Sequence, residues 1–233
     1  MGRARPARGG PRERRQLAGR VLHHGAGAGV SPVAATGNGS ALRPGFRTPV
    51  PDSQQVFRRV LRAMSEPGSL QNIAVDLAPP APLDRATAAL CLTLLDFETP
   101  VWLDAAADGE EVRAWLRFHC GCPLVEETDA ARFAVMAAPS EMPALGAFPL
   151  GSEAYPDEGT TVILQVPSLE SGEAVTLRGP GIEDCREFRA AGIAGSFWKQ
   201  RREMEALFPQ GVDLVFASGA SLAAVPRSTE VRF

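Results

Sequence analysis

From Phe46 onward the apolar residues keep changing period, from helical spacing to short β-branched runs and back. That alternation limits the chain to folds that layer helices on a sheet. Between Asp52 and Met64, the side chains Val56, Phe57, Val60, Leu61 and Met64 share one stripe. This predicts an amphipathic helix capped by Asp52 or Ser53 and stopped at Ser65-Glu66-Pro67-Gly68, because proline disfavours helix in the residue before it. A second helix is predicted from Asp84 through ATAALCLTLL, which is apolar on nearly every side and so belongs between other layers. Val101-Trp102-Leu103 reads as a strand. Asp108-Gly109-Glu110-Glu111 then opens a third helix carrying Val112, Trp115 and Leu116.

The second half is richer in β signals. The runs TTVILQV at 160–166 and AVTLRG at 174–179, separated by a Ser-Gly turn signal, predict a hairpin. A helix is predicted from Ser196 to Leu207. Strands at 212–216 and 222–225 around Ser218-Gly219 predict a second hairpin. The fold class is therefore α/β, a single three-layer domain over residues 46–233 with one mixed sheet and helices on its faces. The Pro/Gly-rich stretch 139–159 is long enough to face a partner or cover a site, and equally fits a surface excursion.

Residues 1–45 have a different character, with eight Arg, one Glu and a long Gly/Ala-rich run. Such a composition cannot offset the entropy of ordering it, so a disordered basic extension is predicted there. Arg14-Arg15 does not begin a twin-arginine export signal, because LAGRVLHHGAGAG lacks an apolar core. The remaining chain has 16 basic against 26 acidic residues, a balance that argues against general nucleic-acid binding. No run approaches the ~18 apolar residues of a transmembrane helix, and the expectation is a soluble, cytoplasmic protein that does not bind membranes.

Cys91, Cys120, Cys122 and Cys185 follow no disulfide or zinc spacing. Reduced thiols are expected. His119-Cys120-Gly121-Cys122 is too tight for a tetrahedral site and lacks a second ligand pair, so no metal is expected. Nor does the chain contain G-x-x-x-x-G-K-[ST], G-x-G-x-x-G after a strand, H-E-x-x-H or G-x-S-x-G. Those absences argue against an autonomous NTPase, dehydrogenase, zinc protease or esterase.

Six strings, taken in order, carry a resemblance: FRRVLRAMSEPGSL at 57–70, LTLLDFETPVWL at 92–103, RFHCGCPLV at 117–125, TTVILQVPSL at 160–169, LRGPGI at 177–182 and FPQGVDLVFASGASLAAVPRST at 208–229. Together they resemble the family of H subunits of the bacterial carbon–phosphorus lyase core complex. The resemblance covers essentially everything from Phe46. It implies a fold similar to pyridoxal-phosphate-dependent transferases without the cofactor, and partnership with G, I and J subunits. It also implies that the chain, with those partners and the L subunit, supports displacement of adenine from ATP by a phosphonate, the J subunit later breaking the carbon–phosphorus bond. The isolated chain is expected to be a homodimer that is not catalytic by itself. No cofactor of its own is expected, Mg-ATP being a substrate of the complex.

Polyanionic substrates call for Arg forks, backbone amides in Gly-rich turns or helix N-termini. The matched strings offer Arg117 and His119 beside a Gly turn, Arg178 with Gly179 and Gly181 after a strand, and Arg227 with Thr229 after the last predicted strand. No residue is assigned a catalytic role. His119, the one histidine after residue 45, is the first suspect for proton transfer. Asp96, Glu98 and Thr99 read as a turn cap rather than a magnesium site. An alternative function class rests on Lys199, the only lysine, in the string Ser196-Phe197-Trp198-Lys199, as a Schiff-base residue for pyridoxal phosphate. Lys199 near Glu203 reads more simply as a solvated helix pair. A third reading is a purely structural binding module.

Overall fold

In the computed structural model the described residues are 42–233. The expectation for the basic extension falls mostly on residues 1–41, which lie outside them. Helix α1, Pro49–Ser65, starts one turn before the expected cap. Proline at its first position gives up only an N–H that would lack a helical partner anyway. Asp52, within the first turn, reaches back to accept from the Thr48 N–H at 2.8 Å and the Thr48 hydroxyl at 2.9 Å. Val56, Val60 and Ala63 are buried, whereas Phe57 and Leu61 of the predicted stripe face outward. Helix α2, Arg85–Leu94, begins one residue after the expected start, with Asp84 as its cap, and buries Ala86 through Cys91. Helix α3, Glu110–His119, buries Val112, Trp115 and Leu116.

The described residues form ten strands, in chain order β1 Gln71–Asn72, β2 Val101–Leu103, β3 Leu124–Val125, β4 Phe133–Met136, β5 Thr161–Gln165, β6 Ala174–Arg178, β7 Arg186–Arg189, β8 Asp213–Ser218, β9 Ser221–Val225 and β10 Glu230–Arg232. Seven form a mixed sheet in the order β1-β9-β8-β5-β4-β2-β3, parallel from β8 through β3. Strands β8 and β9 pair as the expected hairpin, with Ser218 opposite Ser221 and Gly219 at positive φ in the turn.

The other expected hairpin does not form. β5 lies between β4 and β8 in parallel, while β6 belongs to a separate antiparallel sheet ordered β10-β6-β7. Burial explains the difference. Val162, Ile163 and Leu164 are consecutive and all buried, as in a parallel strand covered on both faces, whereas β6 buries only Val175 and Leu177 in alternation.

Alternation along each central strand divides the core. Val135, Ile163, Val215 and Ala217 point to the layer of α1, α2 and α3. Met136, Val162, Leu164, Leu214 and Phe216 point to a second layer made of the small sheet and helix α4, Gly195–Glu203. One face is therefore covered largely by a second sheet, not by helices alone. The long stretch 139–159 belongs to this layer too, since Leu145 and Phe148 are buried beneath it. It is a parallel crossover built from 3-10 turns in place of a helix. Beside it Phe188, Phe197, Trp198 and Phe216 form an aromatic cluster, with Trp198 stacked on Phe216 at 5.6 Å between ring centroids.

Candidate functional site

A sheet with five parallel strands has two unlike edges, and ligands of such sheets bind outside the carboxyl ends of the strands. A cleft of about 500 Å³ opens there. Ala137 to Ser140 after β4, Gln165 to Pro167 at the end of β5, Ser218 and Gly219 at the end of β8, Gly192, and Asp84 at the start of α2 line it. A second hollow of about 540 Å³ shares Asp84 and Gly219 and adds the cations Arg43 and Arg85, both exposed.

The polar groups of this edge are fixed by one another. Asp84 accepts from the Thr87 N–H at 3.0 Å and the Gly219 N–H at 2.6 Å, tying the start of α2 to the β8–β9 turn. The Gln165 carboxamide accepts from the Asp84 N–H at 2.8 Å and donates to the Pro82 carbonyl at 2.9 Å. Buried Asp104, just past β2, accepts from the Ala107 and Ala138 N–H groups, each at 2.8 Å. These bonds hold the walls of the cleft in place. Positive charge in the adjoining hollow and hydroxyl and amide groups within the cleft suit this edge to a polar, anionic ligand rather than to proton transfer by a pair of side chains.

The sequence-predicted site residues lie elsewhere. Arg117 and His119 occupy the last turn of α3, which descends toward the amino edge of the sheet. The His119 Nε2 donates to the Arg43 carbonyl at 3.0 Å, since a carbonyl can only accept, and its ring packs on Trp115 and Phe118. Arg178 is exposed and 3.7 Å from Asp184. Gly179 and Gly181 make a turn against the end of α1. A Cβ on Gly181 would stand 2.0 Å from the Ser65 carbonyl oxygen, so close approach demands glycine there. Arg227 grips Asp213 through Nε and Nη2 and also bonds the Pro156 carbonyl. Thr229 is buried, and its carbonyl accepts from Arg201 at 2.8 Å. Arg227 and Thr229 thus both hold the segment after β9 in place, Arg227 through Asp213 and Thr229 through Arg201.

Lys199 is exposed on α4. In the same helix Arg201 is buried, donating from Nη2 to the Pro226 and Thr229 carbonyls. Burial pulls its pKa down, opposed by Glu205 and Asp213. Asp96 accepts from the Glu98 N–H and the Thr99 hydroxyl, the turn cap expected of it. The cysteines are unbridged, and Cys91, Cys120 and Cys122 gather between α2 and the end of α3. Burial, reinforced by the Cys122 charge, pushes the Cys91 thiol up. Cys120 is raised by its hydrogen bond to Cys122, which lowers Cys122, with Arg117 assisting. Among the described residues, no group of three or more His, Cys, Asp or Glu side chains converges as a metal site.

A family model described as bacterial phosphonate metabolism protein (PhnH) matches residues 44–232. The chain belongs to the PhnH family. A Rhizobium meliloti relative, named alpha-D-ribose 1-methylphosphonate 5-triphosphate synthase subunit PhnH, is 35% identical over 186 residues, 80% of this chain and 93% of the relative. A Stutzerimonas stutzeri relative, named putative C-P lyase subunit protein HtxG, is 34% identical over 187 residues, 78% of this chain and 86% of the relative. The family expectation from the six strings is borne out. Among the described residues no helix is long and apolar enough to cross a membrane.

What the PhnH-family strings did not disclose is the carboxyl-edge cleft. Asp84 was legible as a helix start, but Gln165 and Asp104 sit in ordinary strand-end positions and carry no local motif. Only the pairing order brings their partners, 81 and 34 residues away in sequence, within hydrogen-bond reach.

Proposed function

We propose that this chain is the H subunit of a cytoplasmic carbon–phosphorus lyase core complex. In that role it supports attack of a phosphonate on C1′ of the ATP ribose with release of adenine. The observation that carries the reading is the match to a named synthase subunit over 93% of that relative's length. In this reading G, I and J subunits are its partners, the L subunit is needed for the reaction, and the isolated chain is a homodimer. The fold is taken as similar to pyridoxal-phosphate-dependent transferases without the cofactor. Exposure of Lys199 supports that, because a Schiff base requires a lysine held in a pocket. The chain holds no cofactor of its own, and Mg-ATP enters as substrate.

Its part in the reaction is to bind rather than to transfer protons. The carboxylates of Asp84 and Asp104 are engaged by backbone N–H groups, and Arg43 and Arg85 in the adjoining hollow offer charge to a triphosphate or phosphonate. Of the ligands expected from sequence, Arg117 and Arg178 are exposed and offer a second set, whereas Arg227 is held by Asp213. Co-expression with G, I and J, isolation through a tag on another subunit, and assay of adenine release from ATP and methylphosphonate with L present tests the reading. Stable co-purification and adenine release that depends on this chain are expected. A chain that stays out of the complex, or activity unchanged without it, overturns the reading.

A further inference from the structure

Helix α1 has an outer face that the fold leaves uncovered. Val50 is 73% exposed, Phe57 46% and Leu61 52%, although each is a large apolar side chain. At about 100° per residue these three positions fall within about 40° of one another, forming a seam along some three turns of helix. Beside the seam runs a hollow of about 530 Å³ lined by Pro51, Gln54, Gln55, Arg58, Arg59 and Arg62. Among the described residues Arg58 and Arg59 are in no ion pair, and Arg62 has only its neighbour Glu66 at 3.3 Å. The acids of this helix region are thus already occupied, Asp52 by Thr48 and Glu66 by Arg62.

The charge selects the occupant. A second copy meeting this face about a two-fold axis would set Arg58 and Arg62 of one helix against the same cations of the other, which repel. Residues 1–41 of the chain itself carry seven Arg and one Glu and are likewise of the wrong sign. We propose that the outer face of α1 is a docking surface for an acidic, amphipathic segment of a different protein, whose apolar side chains cover Val50, Phe57 and Leu61 while its carboxylates pair with Arg58, Arg59 and Arg62. The inference rests on the reading of the chain as a subunit and names which of its surfaces meets a partner subunit. Apolar contact supplies the affinity, and the guanidinium groups set register and partner choice.

The test uses the full chain in the co-expressed complex, with capture through a tag on another subunit. Leu61→Ser and the double substitution Arg58→Glu with Arg62→Glu replace exposed side chains, so the fold is expected to survive, as checked by thermal unfolding. Tyr155→Ser, at an exposed aromatic elsewhere on the chain, is the control. The expected result is at least a tenfold loss of capture for both α1 variants and none for the control, with wild-type capture falling as salt is raised. Wild-type capture with undiminished capture of the α1 variants overturns the docking surface and leaves the subunit reading intact. No capture of the wild type overturns the subunit reading, and the inference falls with it. If the isolated chain is a dimer that the α1 substitutions convert to monomer, the occupant is a second copy, which also overturns the proposal.

Discussion

The two edges of the seven-stranded sheet are built to different ends. At the amino edge, charged side chains are spent on holding layers together: Arg227 grips Asp213 and the 149–159 stretch, and buried Arg201 bonds two carbonyls beyond β9. At the carboxyl edge, Asp84, Gln165 and Asp104 also bond to backbone, but they frame an open cleft, and the cations beside it remain exposed. Both edges are rich in polar residues. What distinguishes them is that the carboxyl edge frames an open cleft, whereas the Arg227–Asp213 pair and buried Arg201 close over the amino ends of β8 and β5.

The contrast is sharpest in the response to substitution. Asp213→Ala strands the Arg227 guanidinium, little exposed, without its carboxylate, an effect of about 3 kcal/mol or more. Thermal unfolding should then fall by roughly 6–12 °C. Replacing both partners by Leu and Met should recover most of that loss, and failure to recover would mean that the pair does more than hold the edge. Asp84→Ala removes a helix cap and orphans the Gly219 N–H, at a cost of about 1–2 kcal/mol. Hydrogen exchange at Thr87 and Gly219 should rise while the amino edge stays protected.

A third expectation concerns the thiols beside α3. The folded state keeps the Cys91 proton where the unfolded chain gives it up, so above about pH 8.5 the unfolded state binds fewer protons and stability falls as pH rises. Below that pH this thiol adds no pH dependence to denaturant titrations. Above it the loss should reach at most about 1.4 kcal/mol per pH unit from this thiol, with a shallower slope in Cys91→Ala. The smallest effect is that of His119→Ala. It removes one hydrogen bond to the Arg43 carbonyl, worth about 1 kcal/mol, and should loosen residues 42–45 to proteolysis. A loss of adenine release far beyond that of stability would instead mark His119 as a reacting group.

Sequence reading captured what is local. The starts of α2 and α3, the β8–β9 hairpin and the family strings all depend on residues close in the chain. It mispaired β5 with β6 because a Ser-Gly signal marks a turn but says nothing of where the next strand goes. Three consecutive buried residues, Val162 to Leu164, were the available sign of a central parallel strand. Short strands such as β3 and β7 carry too few residues for a period. The candidate site was missed for a related reason: arginines were weighed by their neighbours in sequence, whereas pairing across the fold decides which remain available. Arg201 shows this best, a buried cation in a helix whose composition reads as solvated.

The most direct test of which exposed cations meet the substrate is adenine release by the reconstituted complex carrying either Arg43→Ala with Arg85→Ala or Arg117→Ala with Arg178→Ala. The account predicts that the Arg43 and Arg85 pair, which lines the hollow beside Asp84, loses at least tenfold in kcat/KM for ATP with unchanged unfolding temperature, while the other pair stays within about threefold, a gap exceeding about 0.7 kcal/mol in transition-state stabilisation. Loss confined to Arg117 and Arg178, with the Arg43 and Arg85 variant fully active, would contradict it.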